Sequence, residues 1–441
     1  MFWWRIFGDT VLNQLVETAL VNNRDARTAL SRIVEARYRL AITRAQFLPQ
    51  FSASAQGGAT YEDNLLGHKS IVQEYFVQPG VSWEISLFGK WRYADEASRA
   101  QLLSTQWAYR SVLLSLAAEV ARTYFTLLQY TRSLDITRSS FSLREQEMTI
   151  IDSLHSYGMT SAVDLEQARS QTASAAADIP LYERAVRQTN YALNVLLGEN
   201  PRIIDMPRDS LPLRASSLPA ADSLALEPPS RLRLLSDTLP PPVPAGLPSQ
   251  LLERRPDVIE AWYTMAAAAA QVNVAHAERY PSISLTGQGG ILSTSVRDLF
   301  RGNPFAWSAS LSLTEPLFSF GRLKREEQAA GEAYRQAMYE YEQTVLTAFS
   351  DVETALNAIE TYARQEKRYA QLIDANRKIR MMNWYLYRDG MTDYLQVIDA
   401  ERNLYSSLLE YVQTQSDRLS AYTDLYKALG GGWDGKEPVY Y

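Results

Sequence analysis

A shift of 232 residues lays one half of this chain on the other. It carries Gly158-Met159-Thr160 onto Gly390-Met391-Thr392, and Leu197-Gly198 onto Leu429-Gly430, with no gap between. It also pairs Pro49 with Pro281, Gln56-Gly57-Gly58 with Gln288-Gly289-Gly290, Gly89 with Gly321 and Tyr130 with Tyr362. Self-similarity held in one register for so long marks an internal tandem repeat, whose units bury their apolar faces against each other. The two repeats are expected over 1–198 and 251–430. Between them, 199–250 is a Pro-rich inter-repeat linker that includes Pro240-Pro241-Pro242-Val243-Pro244, and 431–441 is a C-terminal tail.

Each half reads as helix, two strands, helix, helix. The first helix stops at Pro49 or Pro281, because a proline disfavours helical geometry in the residue before it. Strand pairs follow at about 50–88 and 282–317. In the last strand Phe305, Trp307, Ala309, Leu311 and Leu313 alternate with Ala306, Ser308, Ser310, Ser312 and Thr314, which is the period of a strand with one apolar face. Its counterpart sets Val81, Trp83, Ile85 and Leu87 against Ser82, Glu84 and Ser86. Ile283, Leu285 and Ile291 behave likewise, as do Phe51, Ala53 and Ala55. A soluble sandwich shows the same alternation. Aromatic residues near the strand ends, among them Tyr75, Phe88, Trp91 and Phe318, suit the girdles of a membrane barrel and equally a packed core. The polar stretches Tyr61–Ser70 and Ser293–Pro304 are expected to be the loops between paired strands.

No run approaches the roughly 18 consecutive apolar residues of a spanning helix, so a membrane span here must be built from strands. Membrane barrels need at least about eight strands, so four per chain forces oligomerisation: two chains supply eight and three supply twelve.

After the strands come hairpins of long helices, expected over 89–198 and 321–430. Gly321 to Leu386 contains no proline and only one interior glycine, Gly331, a stretch of roughly 100 Å as a helix. Met338, Tyr341, Val345, Ala348, Val352, Ala355, Ile359 and Tyr362 step by alternating threes and fours, as a coiled-coil seam does. Tyr109, Leu113, Leu116, Val120, Thr123, Leu127 and Tyr130 supply the first-half seam. The hairpins reverse near 157–160 and 388–392, where glycine closes one helix and threonine caps the next. Pro180 is expected to kink or interrupt the returning helix of the first half, since its counterpart is Val412.

The chain offers little for chemistry. Its net charge of -6 argues against nucleic acid as a partner. It has no cysteine, and His68, His155 and His276 lack metal-ligand spacing. Gly287-Gln288-Gly289-Gly290 lies in a strand and opens no helix, so it eases sheet curvature rather than cradling phosphate. No metal, cofactor or enzymatic activity is expected. Met1-Phe2-Trp3-Trp4-Arg5-Ile6-Phe7 is too short for a secretory signal, so an export signal is expected to have been removed or never included.

Leu247-Pro248-Ser249-Gln250-Leu251-Leu252-Glu253-Arg254-Arg255-Pro256-Asp257 resembles the opening of the second half in the TolC-type outer-membrane efflux family, in its RND-pump lipoprotein branch. So do Tyr280-Pro281-Ser282-Ile283-Ser284-Leu285-Thr286-Gly287, Leu317-Phe318 before Gly321-Arg322, and Tyr387-Arg388-Asp389-Gly390-Met391-Thr392 before Leu395 and Asp399. The resemblance implies a mixed α and β membrane protein. It would be a homotrimer with a twelve-stranded outer-membrane barrel, four strands per chain, continuous with a periplasmic α-helical coiled-coil tunnel and with the linker in an equatorial region. Its implied role is the exit duct of a tripartite efflux pump, in outer-membrane lipid, with a periplasmic adaptor and an inner-membrane RND transporter as partners. Members carry an N-terminal lipid-modified cysteine, which this sequence lacks, so a native lipid anchor is an expectation from the branch.

Carried onto matching positions, the family's periplasmic constriction falls on Leu395 and Asp399, with Tyr387 and Arg388 as latch residues. The adaptor-contacting tips fall on Gly158, Met159, Thr160, Gly390, Met391 and Thr392. Three Asp399 carboxylates around one axis would repel each other and attract cations. A solvated helix charge would look the same in sequence. Two other readings stand beside the efflux duct: the outer-membrane component of a type I protein secretion system, and a soluble helical scaffold with a small sandwich.

Overall fold

The computed structural model describes residues 2–63, 69–204, 254–295 and 305–431. Most of the linker, the middle of both strand connections, His68 and the tail after residue 431 lie outside the described residues. The chain divides into two compact units, one drawn from Met1–Thr28, Arg110–Pro256 and Val345–Tyr441, the other from Ala29–Tyr109 and Asp257–Thr344.

The second unit holds one antiparallel sheet of β1 (Gln50–Asp63), β2 (Lys69–Ile85), β3 (Ser282–Ser293) and β4 (Phe305–Thr314), paired in sequence order. Register follows the alternation. Trp83 pairs with Leu285, Ile85 with Ile283, Leu285 with Leu311 and Ile291 with Phe305, so apolar side chains line up across strands on one face. The opposite face is hydroxylated: Ser284 pairs with Ser312, and the Thr286 and Ser310 hydroxyls lie 2.6 Å apart. Gly290 is needed where it stands, since a Cβ there would lie 2.2 Å from the Val77 carbonyl oxygen. The expected loops are too wide in two places. Tyr61–Asp63 continues β1 in register with Lys69–Ile71, and Ser293 closes β3 opposite Tyr75. Main-chain pairing carries polar residues into a ladder that their composition alone assigns to a loop.

Two helices flank the strands in sequence, α2 (Arg24–Ala45) and α5 (Pro256–Ala277). Within the sheet-bearing unit Arg44 pairs with Asp95 at 2.7 Å, Trp83 donates to the Phe47 carbonyl at 3.0 Å, and the Ser104 and Thr264 hydroxyls meet at 2.9 Å.

The first unit is helical. A short helix α1 (Thr10–Asn22) is capped by Asp9, whose carboxylate accepts from the Val11 and Leu12 amides and from the Tyr124 hydroxyl. The long helices are α3 (Lys90–Ser156) and α6 (Arg322–Arg388), each of 67 residues. The returning helices are α4 (Ala162–Leu196) and α7 (Tyr394–Ala428), each of 35. Every bound in the first pair of elements lies 232 residues before its counterpart in the second. The contacts beside the helix ends match too: Asn23 donates to the Leu196 carbonyl and Arg255 to the Ala428 carbonyl.

The core of this unit is built on the seams. Leu116, Val120 and Leu127 are buried in one cluster with Phe125, Leu193, Leu404, Leu408 and Val412, and Ala348 and Ala355 of the second seam are buried too. Full burial of one such Leu or Phe is worth about 1.5–3 kcal/mol. One 18-residue window of α3 reaches a mean hydropathy of 1.3, and 56% of it is buried within the protein, as befits a core helix. The expected interruption at Pro180 is absent, for α4 runs unbroken from Ala162 to Leu196. Proline removes one intrahelical hydrogen bond, the one to the carbonyl of Ala176. Because Pro180 is exposed, that segment stays open to water.

Candidate functional site

The hairpin tips close by the same backbone device. Gly158 and Gly390 take φ of 73° and 74°, in the left-handed region glycine tolerates. The Met159 amide then donates to the Leu154 carbonyl and the Met391 amide to the Leu386 carbonyl, satisfying the last turns of α3 and α6. The capping threonines expected from the sequence are not the caps. Ser161 caps α4 by accepting from the Asp164 amide at 3.1 Å, and α7 begins after Asp393, whose side chain makes no capping bond.

Thr160 is diverted by other partners. Its hydroxyl donates to Asp164 at 2.6 Å, so Tyr387, 3.0 Å away, must donate to Thr160 in turn. This relay from Tyr387 through Thr160 to Asp164 ties the end of α6 to the first tip. Burial raises the Tyr387 hydroxyl above its ordinary range, and the Asp164 charge adds to this against the opposing effect of the Thr160 bond. Tyr387 therefore stays a protonated donor.

The other expected site residues lie on or near the surface. Arg388 is exposed and pairs with its neighbour Asp389 at 3.4 Å. Leu395 is half exposed, and Asp399 pairs with Arg402 one turn on at 2.9 Å. At the tips Met159 and Met391 are about three-quarters exposed, at 75% and 73%. The structure thus brings Tyr387 and Thr160 together within one chain, and leaves Leu395, Asp399 and Arg388 facing outward. Among the described residues no three His, Asp or Glu side chains converge as a metal's ligands.

Sequence reasoning missed a buried layer behind the tips. Ile151, Leu165, Ala168, Trp384, Tyr394, Val397 and Ile398 form a small apolar cluster of their own. Beside it Arg144 and Glu147 from α3, Arg380 from α6 and Glu401 from α7 are all buried. Arg380 contacts Glu147 directly and Glu401 at 3.3 Å, and Arg144 lies 3.7 Å from Glu401. The repeat gives no signal for them: the 232-residue shift sets Arg144 and Glu147 against Asn376 and Ile379, as it could for solvated charges.

The sheet supplies the second functional feature. Its apolar face is open to the surroundings, with Phe51 82%, Trp307 74% and Leu311 71% exposed. A soluble sandwich covers such a face with a second sheet. Lipid is the other medium that suits it.

Known proteins agree with this pairing of a lipid-facing sheet and long hairpins. The family described as outer membrane efflux protein matches residues 15–199 and again 247–431. The toluene efflux pump outer membrane protein TtgC of Pseudomonas putida is 33% identical over 436 residues, covering 98% of this chain and 85% of that protein. The outer membrane protein OprJ of Pseudomonas aeruginosa is 32% identical over 437 residues, covering 98% and 86%. A crystal structure of a membrane protein from Pseudomonas aeruginosa superposes with a TM-score of 0.82 at 31% identity, covering 98% of this chain and 92% of that one. With both halves matched and relatives aligned along nearly its whole length, the chain belongs to the outer membrane efflux protein family.

Proposed function

We propose that three copies of this outer-membrane efflux protein join their sheets edge to edge into one twelve-stranded barrel, continued into the periplasm by the helical hairpins as a water-filled duct. The observation that carries this is the open sheet: among the described residues β1 and β4 are unpaired edges of a four-stranded sheet whose apolar face is exposed. Unpaired strand edges in hydrocarbon leave backbone groups unsatisfied, and closure around an axis removes the edges. The matching bounds of the two helical hairpins support a duplicated origin, which gives each chain two hairpins for the tunnel wall.

The duct is passive. An inner-membrane transporter supplies the energy, and a periplasmic adaptor meets the tips at Gly158, Met159, Thr160, Gly390, Met391 and Thr392. Their exposed methionines are adaptable apolar contacts of the kind such docking uses. Leu395 and Asp399 form the periplasmic constriction, where three Asp399 carboxylates meet, while Tyr387 and Arg388 act as latches. A lipid on the native N-terminus adds a second hold on the membrane.

The test is conductance in a planar bilayer with the mass of the detergent-solubilised particle. A trimer that conducts weakly, with a cation preference, is the expected result. Asp399→Ala is expected to raise closed-state leakage. A monomer that never conducts would overturn the duct, and unchanged leakage in the variant would remove Asp399 from the gate.

A further inference from the structure

We infer that Arg144, Glu147, Arg380 and Glu401 are positioning residues for the gate and form a proton-dependent clasp, in which Glu147 carries a proton that it donates to Glu401 and whose loss loosens α3 from α6 and α7. The inference rests on the gate reading above for its functional consequence, but its chemistry stands on the cluster alone.

Glu147 is fully buried, and Glu401, Arg380 and Arg144 are nearly so. Two guanidiniums could balance two ionised carboxylates in charge, but the donors are not distributed to do so. Arg144 turns Nη1 to the Gln171 carbonyl of α4 at 3.1 Å and lies over the Tyr405 ring of α7. Its Nε stands 3.7 Å from Glu401. Arg380 alone reaches Glu147, through Oε1, while it also bonds Glu401 and lies 5.9 Å over the Trp384 ring. The second oxygen, Glu147 Oε2, is buried with no hydrogen-bond partner. An ionised carboxylate accepts at both oxygens, and an orphaned one in a dry site is costly. Glu147 and Glu401 share the Nη2 of Arg380, so the two carboxylates stand side by side and repel each other. A proton on Oε2 turns the orphan acceptor into a donor and replaces the repulsion of two carboxylates with one bond.

The groups around Glu147 point the same way. From α3 comes Arg144, from α6 Arg380, and from α7 Glu401 and the Tyr394 hydroxyl, which burial and both carboxylates keep protonated. Burial, then the facing Glu401, raises the Glu147 carboxyl well above its usual 4.5, against the opposing pull of Arg380 and Arg144. The folded protein therefore holds a proton that the unfolded chain releases. Stability from the clasp is fully present below the ordinary carboxyl range and is lost as pH rises through the raised value.

Position gives this chemistry a consequence. Glu147, Arg380 and Glu401 sit about three helical turns from the glycines of their tips. The apolar cluster beside them includes Trp384 and Tyr394, and the Tyr394 ring is 5.1 Å from that of Tyr387. Loosening the clasp thus acts through Tyr394 on the hydroxyl that holds Thr160.

The test compares wild type with Glu147→Gln, which keeps an acceptor for Arg380 and a donor for Glu401 but cannot titrate. Infrared spectra of the intact trimer are expected to show a protonated-carboxyl carbonyl band that is absent from Glu147→Gln. Glu401→Gln leaves Glu147 as the sole carboxylate beside two guanidiniums and should abolish the same band. Closed-state leakage of the wild type is expected to rise about tenfold as pH is raised from the ordinary carboxyl range through the raised Glu147 value, the factor given by about 1.4 kcal/mol. Glu147→Gln should stay tight across that range. The same band in wild type and Glu147→Gln, or an unchanged pH profile in the variant, overturns the clasp. The infrared arm reads the proton directly and remains decisive if Asp399→Ala shows the gate assignment to be wrong.

Discussion

Helices α4 and α7 have the same length and stand 232 residues apart, yet α4 buries 7 of its 35 residues and α7 buries 19. α7 is therefore covered on most sides by its own chain. α4 keeps an open face, which the trimer reading assigns to a neighbouring copy or to water. Length, end points and closing turns are alike between the two, while the environment of each helix is not. The difference teaches where divergence is tolerated. A helix with a free face can carry Pro180, whereas the same place in its partner holds Val412, which is completely buried.

This contrast is most severely tested at that pair of positions. Val412→Asp places an unpaired charge in the core and is expected to destabilise by about 4 kcal/mol or more, enough to prevent recovery of folded trimer. Pro180→Ala restores one amide to α4 and is expected to stabilise it by about 1–3 kcal/mol. Thermal unfolding of the detergent-solubilised protein reads both. Similar effects at the two sites would remove the distinction between a covered and a free helix.

Much of the fold is legible in the sequence because it depends on local periodicity. Alternation at Phe305–Leu313 marks β4 and its exposed face, the three-four spacing at Met338–Tyr362 marks the seam, and Gly158 and Gly390 mark the reversals. What fails is what depends on partners distant in sequence. Thr160 looks like a cap, but Tyr387, 227 residues on, helps engage its hydroxyl and Ser161 caps instead. Arg144 and Glu147, three residues apart, read as a solvated helix pair, because nothing local shows that α6 and α7 will bury them. The proposed gate residues are legible only through resemblance: a half-exposed Asp399 beside Arg402 has no property that distinguishes it from other carboxylates near the surface.

A smaller effect sharpens the comparison at the helix ends. Asn23 and Arg255 are repeat-equivalent and perform one shared task, donating to the last carbonyls of α4 and α7 at 2.9 Å and 3.3 Å. Asn23 also caps α2 through the Asp25 and Ala26 amides. Arg255 instead reaches the Ala348 carbonyl and pairs with Asp351 at 3.0 Å. Asp351 is half exposed, so solvent screens that pair and the carbonyl contacts dominate. Arg255→Met is expected to cost about 2–3 kcal/mol and Asn23→Ala about 1 kcal/mol. The ratio follows from the charged donor that two buried carbonyls lose at Arg255, against a neutral amide at Asn23, and equal losses in melting temperature would contradict it.

The smallest effect is expected at the tips, at one place where the two hairpins carry different side chains. Tyr387 is the last residue but one of α6, and its counterpart under the 232-residue shift is His155, the last but one of α3. Tyr387 reaches across to Thr160 of the other hairpin, whereas His155 meets the Thr160 carbonyl of its own tip at 3.2 Å. Tyr387→Phe removes one neutral hydrogen bond, about 1 kcal/mol, without altering the ring that packs on Tyr394. On the latch reading this raises closed-state leakage about fivefold. His155→Ala, which breaks a contact within a single hairpin, should leave leakage unchanged. If both variants leak alike, the tips hold the duct shut by packing alone, and the hydroxyl relay from Tyr387 through Thr160 to Asp164 is a local ornament of one hairpin rather than a tie between two.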